Sequence, residues 1–209
     1  MGYEANSADS SRNARSVDPE KLTKLRRALE AYEAGQGPKL FDHQAEEAKA
    51  AVRKRALGLL DHRARSRREL KERLTDAEFE PAIIEDVLDD LQEAKLIDDQ
   101  DFANEWVRQR HQRRGKSIRA LDRELSQKGI DQNARDRALE QIGTEDEAAM
   151  ARQLAEKKAR SIKEIPADRS EHDKQLRRVA GVLARRGFPG PMSLQISREV
   201  LAERHRELE

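Results

Sequence analysis

Apolar residues recur at steps of three and four along this chain, the spacing of a helix stripe, from Phe41 almost to the C-terminus. Phe41, Ala45, Ala48, Val52, Ala56 and Leu59 predict one helix. Ser66 with Glu69 makes a capping box for the next, which carries Leu70 and Leu74. Pro81 starts a third, with Ile84, Val87, Leu88 and Leu91 on one side. The stretch from Leu96 to Ile130 gives the pattern most fully. Asp98 or Asp99 suits the N-cap, and Phe102 and Trp106 share a face at i, i+4 beside Ala103 and Val107. Ser117 can cap a helix striped by Ile118, Leu121 and Leu125; Gly129 suits the left-handed position past its end, and Ile130 the apolar contact after that. A helix from Asp131 to Ile142 follows, with Ala134 and Ala138, closed by Gly143. Thr144 and Glu147 form another capping box before a long helix that uses Ala148, Ala151, Ala155, Ala159 and Ile162 and breaks at Ile165 and Pro166. Leu176, Val179 and Leu183 mark a further helix ending at Gly187 and Phe188. Pro189, Gly190 and Pro191 read as a hard turn, and the last helix uses Ile196, Val200 and Leu201.

This is helix-helix-helix, three times over. The second helices align without gaps: Leu70 and Leu74 match Leu121 and Leu125, and both match Val179 and Leu183. The last two run on into Lys128, Gly129, Ile130 and Arg186, Gly187, Phe188, while the first has a longer turn, Thr75 to Glu80. The intervals are 51 and 58 residues, which fits neither the ~33- nor the ~34-residue helical solenoids. The expected fold is all-α: tandem three-helix repeats forming an elongated, curved array. Residues 41–95, 96–143 and 144–209 are the expected repeats. Ahead of them, residues 1–18 read as a disordered polar segment. Residues 19–40 read as an extension helix that starts at Asp18 and Pro19 and carries Leu22, Leu25, Leu29 and Tyr32.

Composition changes this picture in two ways. Charged residues make up 40% of the 209 and hydrophobic residues only 36%, so thin layers that each bury one stripe fit better than a single deep core. The net charge is only +1, but it is segregated. Asp76 to Glu105 holds 12 acidic residues and 1 basic, Val52 to Arg73 holds 9 basic and 3 acidic, and Trp106 to Ile130 holds 8 basic and 2 acidic. Such blocks create local fields that the net charge hides. There is no cysteine, which excludes disulfides and thiolate metal sites and makes the cytoplasm the expected location. No apolar run reaches membrane-spanning length, and the first residues lack the apolar centre of a signal peptide.

Candidate chemistry is sparse. His43, His62, His111, His172 and His205 show no metal-ligand spacing and read as solvated or incidental. Asp86, Asp89, Asp90, Asp98, Asp99 and Asp101 lack the glycine and ligand order of a Ca²⁺ loop and read as caps and surface charge. Gly115, Lys116 and Ser117 end like a P-loop, but Arg110 stands where its first glycine belongs and a helix, not a strand, precedes. No catalytic residue, metal or cofactor is expected, and an enzyme has no support. The basic residues carry more. Arg65, Lys116 and Lys174 fall five positions before the first core residue of each second helix, and Arg68, Arg119 and Arg177 two before it. Positive charge at a helix start opposes the macrodipole, so an anionic partner is the better explanation. The bland alternative is pairing with the chain's own acidic third helices. Arg123 lies beside Lys116 and Arg119 in the middle repeat.

Leu96 to Ala103, Trp106 to Arg110 and the run Arg119 to Ile130 together resemble the RecX family of regulatory proteins, from about Glu46 to the C-terminus. The resemblance implies a cytoplasmic bacterial protein that binds the RecA recombinase. Such a protein lodges in the groove of the RecA–DNA filament and restrains ATP hydrolysis and strand exchange, with no catalytic residues of its own. A monomer is expected, meeting DNA through the filament, with Arg65, Arg68, Lys116, Arg119, Arg123, Lys174 and Arg177 turned toward it. The alternative is an autonomous DNA-binding module using the middle helices in helix-turn-helix fashion. Low aromatic content and a net charge near zero count against it. Met1 to Leu40 and Ser161 to Ser170 depart from the family pattern.

Overall fold

The computed structural model describes residues 43–209, together with Thr23, Arg26, Arg27 and Glu30, which are helical and exposed. The chain divides into two units, Met1–Glu47 and Ala48–Glu209. The expected disordered segment, most of the extension helix, and the side chains of Phe41 and Ala45 lie outside the described residues.

In the second unit every element past the first turn of α1 is accounted for. The helices are α1 (His43–His62), α2 (Arg67–Thr75), α3 (Pro81–Glu93), α4 (Asp99–Arg114), α5 (Ile118–Gln127), α6 (Gln132–Leu139), α7 (Thr144–Ala159), α8 (Arg169–Arg185) and α9 (Gly190–Arg206). The described residues contain no strand. The stripes converge on three apolar clusters. Val52, Ala56, Leu59, Leu70, Leu74, Ile84, Val87, Leu88, Leu91 and Ile97 form the first. Phe102, Ala103, Val107, Leu121, Leu125, Ile130, Ala134, Ala138 and Ile142 form the second. Ala151, Ala155, Ala159, Ile162, Val179, Leu183, Phe188, Ile196, Val200 and Leu201 form the third. Each cluster gathers one helix triplet, as a chain with this little apolar residue must do to bury any of it.

The second-to-third helix corner is the same in all three triplets. Phe79, Ile130 and Phe188 each donate their amide to a leucine carbonyl five residues back, Leu74, Leu125 and Leu183, at 3.4, 3.1 and 3.3 Å. The residue before each has positive φ: Glu78 at 61°, Gly129 at 78° and Gly187 at 89°. The expected longer turn at Thr75 to Glu80 is therefore absent, and the gapless alignment extends through it. Glycine is required only where another triplet approaches. A Cβ on Gly129 would lie 2.7 Å from Arg68 Cβ, and one on Gly187 would lie 2.7 Å from Ala120 Cβ. Glu78 meets no such neighbour and keeps its side chain.

Two further expectations change. Gly143 does not close α6 but caps α7, with Asp146 Oδ2 accepting the Gly143 amide at 3.2 Å. Glu147 is thereby released from the expected box with Thr144. Pro189, Gly190 and Pro191 do not form a free-standing turn: Pro189 is the N-cap of α9, and the two residues after it make its first turn. Proline suits that place because its missing N–H is one that a helix start leaves unpaired.

Consecutive triplets join through a repeated junction. The cap serine of one second helix meets the residue before the glycine of the next corner. Ser66 Oγ donates to Lys128 O at 2.7 Å, and Ser117 N donates to Arg186 O at 3.1 Å. A carboxylate from the following first helix then accepts the first amide of that second helix. Asp99 Oδ1 takes Arg67 N at 2.9 Å, and Glu147 Oε1 takes Ile118 N at 2.8 Å. First-turn amides have no partner within their own helix. Here the next triplet supplies one.

Alanine replacements separate corner from helix. Gly129→Ala and Gly187→Ala should each cost about 1–2 kcal/mol for the left-handed backbone alone, and more for the contact. Gly181, inside α8, faces only Arg185 Nη1 at 3.3 Å from a built Cβ, so Gly181→Ala should stabilise by about 0.5–1 kcal/mol. Urea midpoints of the three variants measure both signs.

Candidate functional site

The sequence-derived cations divide sharply once their neighbours are known. Arg65 Nε donates to Leu59 O at 3.0 Å, satisfying a carbonyl in the last turn of α1. It lines a hollow of about 390 Å³ with Leu60, Leu96, Phe102 and Trp106. Arg68 Nε pairs with Glu72 at 2.8 Å one turn along α2. Lys116 Nζ pairs with Glu124 at 3.2 Å. Arg119 and Arg123 are exposed on α5, and neither forms an ion pair among the described residues. Lys174 and Arg177 are likewise exposed on α8 and unpaired. The third copy differs from the others in placement. Because α8 begins at Arg169, these two cations lie within the helix rather than at its start, and the macrodipole argument does not reach them.

Pairing with the acidic third helix does occur, but through other cations. Lys49 meets Asp86 at 2.8 Å, Arg53 meets Asp90 at 2.7 Å, and Arg67 meets Glu85 and Asp89 at 2.7 Å; Lys71 also meets Glu85. The α3 acids are thus drawn on by α1 and α2 and leave the middle-repeat cations untouched. Burial raises the Asp99 carboxyl against the pull of the Arg67 amide and charge. Burial also opposes ionisation of Glu69. Hydrogen bonds and charge from Arg63 and Lys128 nevertheless bring it from 4.5 down to about 2. Its ion pair with Lys128 ties the first triplet to the second beside the junction.

Trp106 is engaged within the chain. Phe102 stacks on it with centroids 5.4 Å apart, and the Arg110 guanidinium lies 3.7 Å from its centroid. Its indole N–H donates to Glu124 at 3.1 Å, the carboxylate that also holds Arg110 and Lys116. A base stacking on this ring would have to compete with these contacts. The histidines were not all incidental: His111 is buried, and its Nδ1 contacts Lys116 O at 2.9 Å at the end of α4. Gly115, with φ 58°, is the C-cap of that helix and not part of a phosphate loop. Among the described residues no three His, Asp or Glu side chains gather as a metal site, and no helix is long and apolar enough to cross a membrane.

A second basic locus escaped the column alignment. Lys158 of α7 and Lys174, Arg177, Arg178 and Arg185 of α8 line an open hollow of about 400 Å³. The signal was available as a helix face: Lys174, Arg178, Gly181 and Arg185 follow one another at steps of four, three and four.

Three tandem three-helix units, locked by a repeated cap-to-corner junction, define an all-α helical-repeat protein. Models of the first, second and third three-helix domains of RecX match residues 53–91, 98–139 and 145–194. The chain is 61% identical over 192 residues to the regulatory protein RecX of Corynebacterium efficiens, covering 90% of this chain and 91% of that one. It is 40% identical over 153 residues to the regulatory protein RecX of Streptomyces coelicolor, covering 73% and 79%. The crystal structure of RecX from Lactobacillus salivarius shares the fold with a TM-score of 0.62 at 23% identity, over 74% of this chain and 97% of that one. The chain belongs to the RecX family of regulatory proteins.

The Glu69 link has a pH signature. A depressed carboxyl contributes stability above its unfolded value near 4.5 and loses it as pH falls toward about 2. Glu69→Gln should lower stability by about 1–3 kcal/mol at pH 7. The gap from wild type should close between pH 4.5 and pH 2, because only the wild type then loses this contribution. Urea midpoints at pH 7 and pH 3 check it.

Proposed function

We propose that this protein regulates a RecA recombinase by binding the recombinase–DNA filament and restraining ATP hydrolysis and strand exchange. It acts in the cytoplasm, as a monomer and without catalytic residues or cofactor. The middle repeat presents Arg119 and Arg123 on one exposed helix face with no acidic partner among the described residues; this is the observation that carries the reading. Family membership supplies the regulatory role, and unneutralised exposed charge supplies a surface that gains by meeting an anionic one. Of the seven residues expected at this interface, Arg119, Arg123, Lys174 and Arg177 are the ones whose charge is not already employed inside the chain. Arg65, Arg68 and Lys116 reach it only by giving up the contacts described above. We take the three repeats, 41–95, 96–143 and 144–209, to set the spacing of these cations.

Reversing Arg119 and Arg123 to Glu tests the reading more cleanly than reversing Lys116, which would place a carboxylate beside Glu124. The double variant should keep its helicity and melting, since exposed charges contribute about 0–1 kcal/mol each. It should weaken inhibition of recombinase ATPase several-fold at low salt, with the gap narrowing as salt rises. Unchanged inhibition by a folded double variant would contradict the reading.

A further inference from the structure

The hollow between α7 and α8 is made by cations that the chain does not use. None of the Lys158, Lys174, Arg177, Arg178 and Arg185 side chains enters an ion pair or hydrogen bond among the described residues. This contrasts with α2 and α3, where most facing charges are paired. Five like charges around one concavity repel one another, and the fold gains nothing from them. Gly181 lies at the centre of this face. A Cβ there would touch only the end of Arg185, at 3.3 Å, so neither close packing nor a turn requires glycine inside α8.

We infer that this hollow holds the phosphodiester backbone of nucleic acid directly, independently of the recombinase. Lys174 to Arg185 spans about 16 Å at the helical rise. Along a duplex, whose strands each carry one phosphate per ~3.4 Å of axis, that length lies beside about five base-pair steps. Arginine outnumbers lysine three to two in the lining, and its planar fork suits phosphate oxygens. The lining contains no aromatic and no amide side chain, so it offers neither a stacking platform nor base-edge readout. Binding is therefore sequence-independent and positions the backbone. An acidic protein face would meet the same charges, but a nucleic-acid backbone presents its anions in an unbroken row, as this helix presents its cations.

Fluorescence anisotropy with the full chain and a labelled 20-residue oligonucleotide, single-stranded and duplex, tests this without any recombinase. Wild type should bind at low salt, with log K falling against log salt by about 0.9 per duplex phosphate contacted, or about 0.7 on a single strand. The more tightly bound of the two at matched salt identifies the source. Lys174, Arg178 and Arg185 to Glu should reduce affinity at least tenfold at low salt and flatten the slope by two to three contacts. The single changes Arg178→Gln and Arg185→Gln, which add no negative charge, should each flatten it by about one. Arg119 and Arg123 to Glu should leave the slope nearly unchanged, which separates this site from the one in the middle repeat. The inference is overturned if wild type binds neither oligonucleotide, if the α8 variants keep wild-type slope, or if polyglutamate displaces the probe as well as unlabelled DNA does. None of these results bears on recombinase inhibition, which has its own variant.

Discussion

A first-turn amide capped from outside its own helix is the constraint on which this architecture rests. Isolated three-helix units of this size bury too little apolar surface to fix their neighbours by hydrophobic contact alone. The chain instead uses a directional link. Ser66 and Ser117 satisfy one amide of their own helices, while Asp99 and Glu147 from the next triplet satisfy the amide of the first helical residue. Breaking the link leaves a donor of one triplet and a carboxylate of another without partners, and an unmade hydrogen bond in a half-buried place costs more than a made one contributes. Serine, glycine and carboxylate recur because each touches the other side of the junction. In the third triplet the serine position holds Gln175, inside a helix that starts earlier. At the corner of α2 and α3 an exposed Glu78 takes the left-handed place of the glycine.

The same junction sorts the charges. Cations close to the seams are taken up in holding the chain together: Lys128 on Glu69, Arg67 on Glu85 and Asp89, Arg65 on the end of α1. Those on the outer faces of α5 and α8 have no such duty. A regulator that works by binding gains from this division, because outer charges can change without loosening the array. The energetic scale agrees, since exposed single charges contribute little to folding while long rows of them govern association with a polyanion.

Most of the fold was legible in the sequence because its stripes and caps obey local rules. Leu70, Leu121 and Val179 announce equivalent helices; they and Leu74, Leu125 and Leu183 are buried, while the outlying stripe residues Ile118 and Leu176 are only partly so. What was illegible lies between triplets. Glu147 looked like the partner of Thr144 because capping boxes are read within a few residues, whereas its acceptor role spans to Ile118. The corner at Thr75 to Glu80 looked longer because Glu78 does not resemble glycine, and only the absence of a packing neighbour explains why it need not. The candidate interface was half legible. Column alignment found Arg119 and Lys174 but could not tell paired from unpaired cations, and it missed Arg178 and Arg185, which recur along a face rather than between repeats.

Amide hydrogen exchange at Arg67 and Ile118 tests the junction most directly, because the first amide of a helix ordinarily exchanges freely. In the wild-type chain both should be protected like amides of the following turn. Asp99→Ala should release Arg67 alone, and Glu147→Ala should release Ile118 alone. Free exchange of both in the wild type, or protection that survives loss of the carboxylate, would contradict the account.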